Sequence, residues 1–171
     1  MQTKQPKNMV SLWLEPMVVK YLKSNYGEVI EADASSFIGS WIVNAMVRKN
    51  FDVFHKANEA DLPKISKLNT KIFVKVPIRY FDNAGSFIPM CRCEMFNTLV
   101  MKLFYVEFLT FAFVNFSNKL MTIQECCSYF RAKYDIDETE LGDFLLTKKF
   151  YRFRNKNIGK VGDFEFLKMI A

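Results

Sequence analysis

Six cations, Lys148, Lys149, Arg152, Arg154, Lys156 and Lys160, follow one another without an intervening acid, and Phe150, Tyr151 and Phe153 lie between them. Cations at this density can neutralise phosphates, and exposed rings can stack on unpaired bases. The two residue types in one short stretch point to nucleic acid. Lys148, Lys149, Arg152, Arg154, Lys156 and Lys160 are the expected phosphate contacts, with Phe150 or Tyr151 available for stacking. A solvated charged face over a row of core aromatics gives the same pattern. The formal net charge of +6 over 171 residues favours encounter with a polyanion and says nothing about fold.

Other chemical templates fail. Glycines stand at 27, 39, 85, 142, 159 and 162 and form neither G-x-G-x-x-G nor a Walker A loop. G-x-S-x-G and H-E-x-x-H are absent. The single histidine, His55, has no companion nucleophile or ligand in the pattern. Asp33, Asp61 and Asp82 show no recognisable metal or acid/base spacing. Cys91, Cys93, Cys126 and Cys127 give C-x-C and C-C rather than paired C-x2-C knuckles, so they read as reduced thiols packed as small hydrophobes. No enzyme, no cofactor and no metal is expected. A nuclease built from scattered Asp and Glu residues would leave the same pattern.

The basic stretch needs elements to position it. Thr122 followed by Glu125 forms a capping box, opening a helix through Ile123, Cys126, Cys127, Phe130 and Ala132 to about Tyr134. After a turn at Asp135–Asp137, Glu138 begins a second helix with Leu141, Phe144 and Leu145 on one face. The spacing predicts a helix-turn-helix-like pair. Beyond Lys149 the period shortens to alternation, which predicts a β-hairpin wing from 150–155 and 162–168 around Asn157 and Gly159. A helix running on to Arg154 is the competing reading. Asp135, Asp137, Glu138, Glu140 and Asp143 crowd the start of the second helix. They suit a helix N-terminus but repel phosphates, so contacts are assigned to the segment after Lys148.

The greasiest stretch runs from Cys93 to Asn118, with apolar side chains at helical spacing and, later, on almost every side. It predicts a central core helix from about Arg92 to Phe116, buried all round. The same stretch is the one membrane candidate, opposed by Lys102 and Glu107 inside it. The N-terminus carries no secretory pattern. A cytoplasmic protein without a membrane partner is expected.

Earlier in the chain, Val10, Leu12 and Leu14 alternate as a strand, Pro16 opens a helix and Gly27 stops it. Val29 to Glu31 reads as a brief strand. Asp33, Ser35 and Ser36 offer N-caps for a helix with Phe37, Ile38, Trp41, Ile42, Ala45 and Met46 on its buried stripe. Arg48 and Lys49 suit its C-terminal end, and Gly39 reads as a tolerated helix glycine. Ile72, Val74, Val76 and Ile78 predict a strand, and the turn signal at Asp82–Gly85 folds it back through Ser86–Ile88 as a hairpin. The expected fold is helix-dominated α+β, with a small antiparallel sheet including Val10–Leu14 and Lys71–Tyr80. An α/β core over 1–120 and a C-terminal basic helical module over 121–171 would pack as one compact protein.

The segment YFRAKYDIDETELGDFLLTKKFYRFRN carries Tyr129, Phe130, Asp143, Lys148, Lys149, Tyr151, Arg152 and Arg154. It resembles the C-termini of small uncharacterised proteins of phages and conjugative elements of gut Bacteroidetes. That resemblance implies a mobile element in a bacterial cytoplasm and brings no activity or site with it. The expected function is a non-enzymatic nucleic-acid-binding accessory or regulatory protein. The alternative is an interaction, assembly or inhibitor protein without nucleic-acid affinity. Its phenylalanines and methionines would then supply an interface to a protein partner or to a second copy.

Overall fold

Alternating apolar residues build a sheet closed on one face. The computed structural model describes residues 8–48 and 66–157. His55, Lys49, Lys160 and the expected strand over 162–168 lie outside them. Strand β1 (Met9–Leu14) buries Val10, Leu12 and Leu14, and β3 (Thr70–Lys75) buries Ile72 and Val74. The two pair antiparallel, Val10 opposite Val74 and Leu12 opposite Ile72. The brief β2 (Ile30–Glu31) pairs parallel on the other edge of β3, giving the order β1-β3-β2. The sheet is therefore mixed rather than purely antiparallel, because β2 returns from a helical crossover running the same way as β3.

That crossover is α1 (Pro16–Tyr26), which starts with proline and ends at Gly27, whose φ of 82° is the conformation glycine adopts freely. Helix α2 (Phe37–Ala45) is capped by Ser36, whose hydroxyl accepts from the Gly39 N–H at 3.0 Å. Gly39 is more than tolerated: a Cβ there would fall 2.0 Å from the carbonyl oxygen of Asp33. The helix stops at Ala45, short of Arg48, and Val47 instead forms an antiparallel bridge with Phe87. A cation does reach the C-terminal carbonyls of α2, but it is Arg92, donating to Ala45 at 2.9 Å and Asn44 at 3.2 Å.

The expected strand over 71–80 ends early, at Lys75. Pro77 has no N–H for the ladder, and its fixed φ leads into a short helix, α3 (Ile78–Ala84). No hairpin forms here. Gly85, at φ 104°, lets the chain pass Val47, whose carbonyl oxygen would meet a Cβ at 2.3 Å.

Helix α4 (Met90–Ser117) is the long apolar segment. The chain divides into two compact units, Met1–Val100 and Met101–Ala171, and α4 runs from the first into the second. In the first unit α4 buries Cys93, Phe96, Asn97 and Val100, with Phe96 against Trp41 at 4.8 Å between centroids. Asn97 accepts from the Glu15 N–H and donates to the Glu15 carboxylate, both at 3.0 Å, tying the start of α1 to α4. Burial all round does not occur: Met95 and Val114 are exposed, and only 22% of the most apolar 18-residue window is buried. By length and composition α4 is the one helix among the described residues that could cross a membrane.

The second unit packs α5 (Ile123–Lys133) and α6 (Asp143–Asn157) against residues 101–117. Thr122 and Glu125 complete the capping box, with 2.7 Å from the Thr122 N–H to the Glu125 carboxylate. That bond holds the Glu125 carboxyl below its ordinary pKa. Phe104, Phe130 and Tyr134 meet edge to face, and Phe108 closes on Phe130 at 5.4 Å. Phe150 meets Phe116 at 5.3 Å and Phe153 meets Phe113 at 6.1 Å.

Candidate nucleic-acid interface

Leu146, Phe150 and Phe153 stand at intervals of four and three residues, and α6 buries the first two fully. That period makes residues 150–155 helix, not the strand of a wing. It also corrects Phe150: the ring is fully buried against Phe116 and is no stacking surface. The connection at 134–142 is longer than the three- or four-residue turn of a helix-turn-helix. The second helix starts at Asp143 rather than Glu138, because Asp137 turns the chain first. The Asp137 carboxylate accepts from the N–H groups of Thr139 (2.8 Å) and Glu140 (3.1 Å), and the Glu140 carboxylate accepts from the Asp137 N–H at 3.1 Å.

The same helical period fixes which cations face out. Lys148, Arg152 and Lys156 recur every fourth residue and are all exposed, on the side away from Leu146 and Phe150. They span about 12 Å at 1.5 Å per residue. No carboxylate among the described residues pairs with any of the three. The nearby Asp143 is engaged elsewhere, 2.8 Å from the Nε of Arg131, off the line of a hydrogen bond and acting as an ion pair.

Lys149 and Arg154 turn aside. The Lys149 Nζ lies 3.9 Å from the centroid of Tyr105, and the Arg154 guanidinium lies 5.1 Å from that of Phe116. Both are half-buried. Tyr151 is exposed on the flank of the helix, where it and Arg154 border an open cleft of about 780 Å³ lined also by Phe113, Phe116, Lys119 and Leu120.

Two residues expected on the buried face are exposed instead. Phe144 is 78% exposed, with the Lys148 Nζ 5.6 Å from its ring centroid, and Leu145 lies beside it. The signal was present: a helix carried to Arg154 on Leu146, Phe150 and Phe153 puts Phe144 outside. The outer face of α6 therefore presents Phe144, Lys148, Tyr151, Arg152 and Lys156.

No protein-family model, curated protein or solved structure matches the chain. Among the described residues no group of three or more His, Cys, Asp and Glu side chains is placed to hold a metal. Cys93, Cys126 and Cys127 are buried, and burial raises each thiol pKa above its ordinary value. Such thiols pack as small hydrophobes and are poor nucleophiles.

Proposed function

We propose that this protein is a non-enzymatic nucleic-acid-binding accessory protein whose contact surface is the outer face of α6. The observation that carries the reading is the row Lys148, Arg152 and Lys156, exposed at four-residue spacing and free of carboxylate partners among the described residues. Such a row engages phosphates without reading sequence. Phe144 and Tyr151 add rings at its borders for stacking on unpaired bases.

The proposal places the protein in the cytoplasm. Crossing a bilayer with its packing kept would take Lys102 and Glu107 of α4, and the Lys133 and Lys149 packed beside it, into hydrocarbon. Each basic residue there costs roughly 2.5–3.5 kcal/mol or more. The mobile-element setting rests on the resemblance of residues 129–155 and is part of the proposal.

The test is fluorescence anisotropy with labelled duplex and single-stranded oligonucleotides across a salt series, comparing the parent with Lys148→Ala/Arg152→Ala/Lys156→Ala. Salt-dependent binding that the variant loses supports the reading. Binding unchanged in the variant, or none at low salt, overturns it and leaves Phe144 and Leu145 as the centre of a protein-binding face.

A further inference from the structure

Strand alternation gives the sheet of the first unit a second face. Val10, Leu12, Leu14, Ile72 and Val74 point to the packed side and are between 0% and 8% exposed. Ser11, Trp13, Lys71, Phe73 and Lys75 point to the other. In the register, Trp13 stands opposite Lys71 and Ser11 opposite Phe73, so the two rings are diagonal neighbours on adjacent strands. Trp13 is 36% exposed and Phe73 40%. The Lys71 Nζ serves both, 5.7 Å from the Trp13 ring centroid and 5.1 Å from that of Phe73. Lys75 lies two residues on along the same face, its ammonium 2.6 Å from the exposed carboxylate of Glu31.

A solvated sheet face is ordinarily polar. Two large rings bracketing a lysine, with a second lysine in line, are an arrangement with a defined use. We propose that this open face is a separate platform for single-stranded nucleic acid, with Trp13 and Phe73 stacking on unpaired bases and Lys71 and Lys75 contacting the adjoining phosphates. Open sheets that hold single strands stack bases on exposed aromatic side chains in this way.

The geometry selects the occupant. A duplex hides its base faces within the stack and offers its phosphates around a cylinder, so it has nothing for two rings on a sheet face to stack against. An added peptide strand would pair along an outer edge, which the order β1-β3-β2 leaves to β1 and β2, and would not lie across the face that carries the two rings. Lys71 has a ready movement: a base arriving on either ring displaces its ammonium towards the phosphate that the base brings. The platform lies in the first unit and shares no residue with the α6 face, so either can stand without the other.

The chain has two tryptophans, so Trp41→Phe leaves Trp13 as the sole indole reporter. That variant is titrated with a single-stranded oligothymidylate, a single-stranded oligouridylate and a DNA duplex of equal length. Either single strand should quench Trp13 and the duplex should not. Trp13→Leu/Phe73→Leu should weaken single-strand binding at least roughly fivefold per ring. Lys71→Ala/Lys75→Ala, which leaves the packed face untouched, should lower the salt slope by about 1.4, at about 0.7 per phosphate contact on a single strand.

The α6 variant Lys148→Ala/Arg152→Ala/Lys156→Ala should retain Trp13 quenching. Absence of quenching by either single strand at low salt overturns the platform, as does single-strand affinity unchanged in both sheet variants. If those variants bind normally while the α6 variant fails, the platform falls and the α6 reading stands. The reverse pattern keeps the platform and removes the α6 reading.

Discussion

The ammonium of Lys149 lies 3.9 Å from the centre of the Tyr105 ring, which makes this lysine part of the packing between α6 and α4 rather than of the exposed basic row. Lys149→Ala should therefore cost stability, about 0.5–1 kcal/mol for a cation–π contact still partly in solvent, and leave nucleic-acid affinity near that of the parent. Denaturant melts and an anisotropy titration on the same variant separate the two effects.

Removing Lys148, Arg152 and Lys156 together should do the opposite. Three phosphate contacts account for about 2.7 units of slope in log affinity against log salt on duplex DNA. The triple alanine variant should lose that much slope while its melting midpoint stays close to the parent's, because all three side chains are exposed and none is ion-paired within the described residues.

Gly39→Ala tests a sign. In an open helix interior the change would stabilise by about 1 kcal/mol through helix propensity. Here the new Cβ meets the Asp33 backbone, its oxygen at 2.0 Å and its nitrogen at 2.5 Å. Main chain cannot swing aside as a flexible side chain does, so the substitution should destabilise by about 1–3 kcal/mol. A shift of the urea midpoint to lower concentration is the expected outcome.

Asn97 is the one buried polar side chain among the described residues, and both of its hydrogen bonds go to Glu15. Asn97→Leu leaves the Glu15 N–H without its partner beside buried apolar groups. The expected loss is about 1–3 kcal/mol, read from equilibrium unfolding.

Lys133 sets an alkaline limit. Its hydrogen bond to Glu107, at 2.7 Å, together with the Tyr134 hydroxyl, pushes its pKa up to about 12 from 10.5. A pKa raised by folding means that the folded state binds the proton more tightly than the unfolded one. The contribution is complete below pH 10.5 and fades as pH rises through about 12. Glu107→Gln should flatten that decline. The difference in unfolding free energy between parent and variant, followed across this range, should shrink towards high pH. It should be small in size, since the Lys133 side chain is 44% exposed.

Local signals with a single physical cause were legible in the sequence. Proline at the head of α1, Ser36 and Thr122 as caps, and the alternation of Val10, Leu12 and Leu14 each appear where side-chain chemistry demands. So did the helix-dominated α+β class and the long apolar α4. The errors arose where two periods coexist. Phe150, Tyr151 and Phe153 interleave with arginines and read as alternation, yet Leu146, Phe150 and Phe153 carry a helical stripe that tertiary packing selects. Helix α3 buries none of its residues, so it has no apolar period to read, and Pro77 alone marks its start. The Arg92 bonds to α2 are long-range facts with no local signature, and the close approach of Gly39 to Asp33 depends on the fold of the intervening turn, which no residue pattern spells out. Within the candidate interface the sequence marked the cations only as a group. Only the rotation of α6 sorts Lys148, Arg152 and Lys156 from Lys149 and Arg154.

The passage from the first unit to the second falls at Val100 and Met101, inside a single turn of α4. Modules that recombination moves between genes are ordinarily joined by exposed polar segments that accept cutting and splicing. A helical seam accepts neither. One inserted residue would shift the helical phase of the rest of α4 by about 100°. A splice at this seam should be tolerated only where it preserves the turn count of α4.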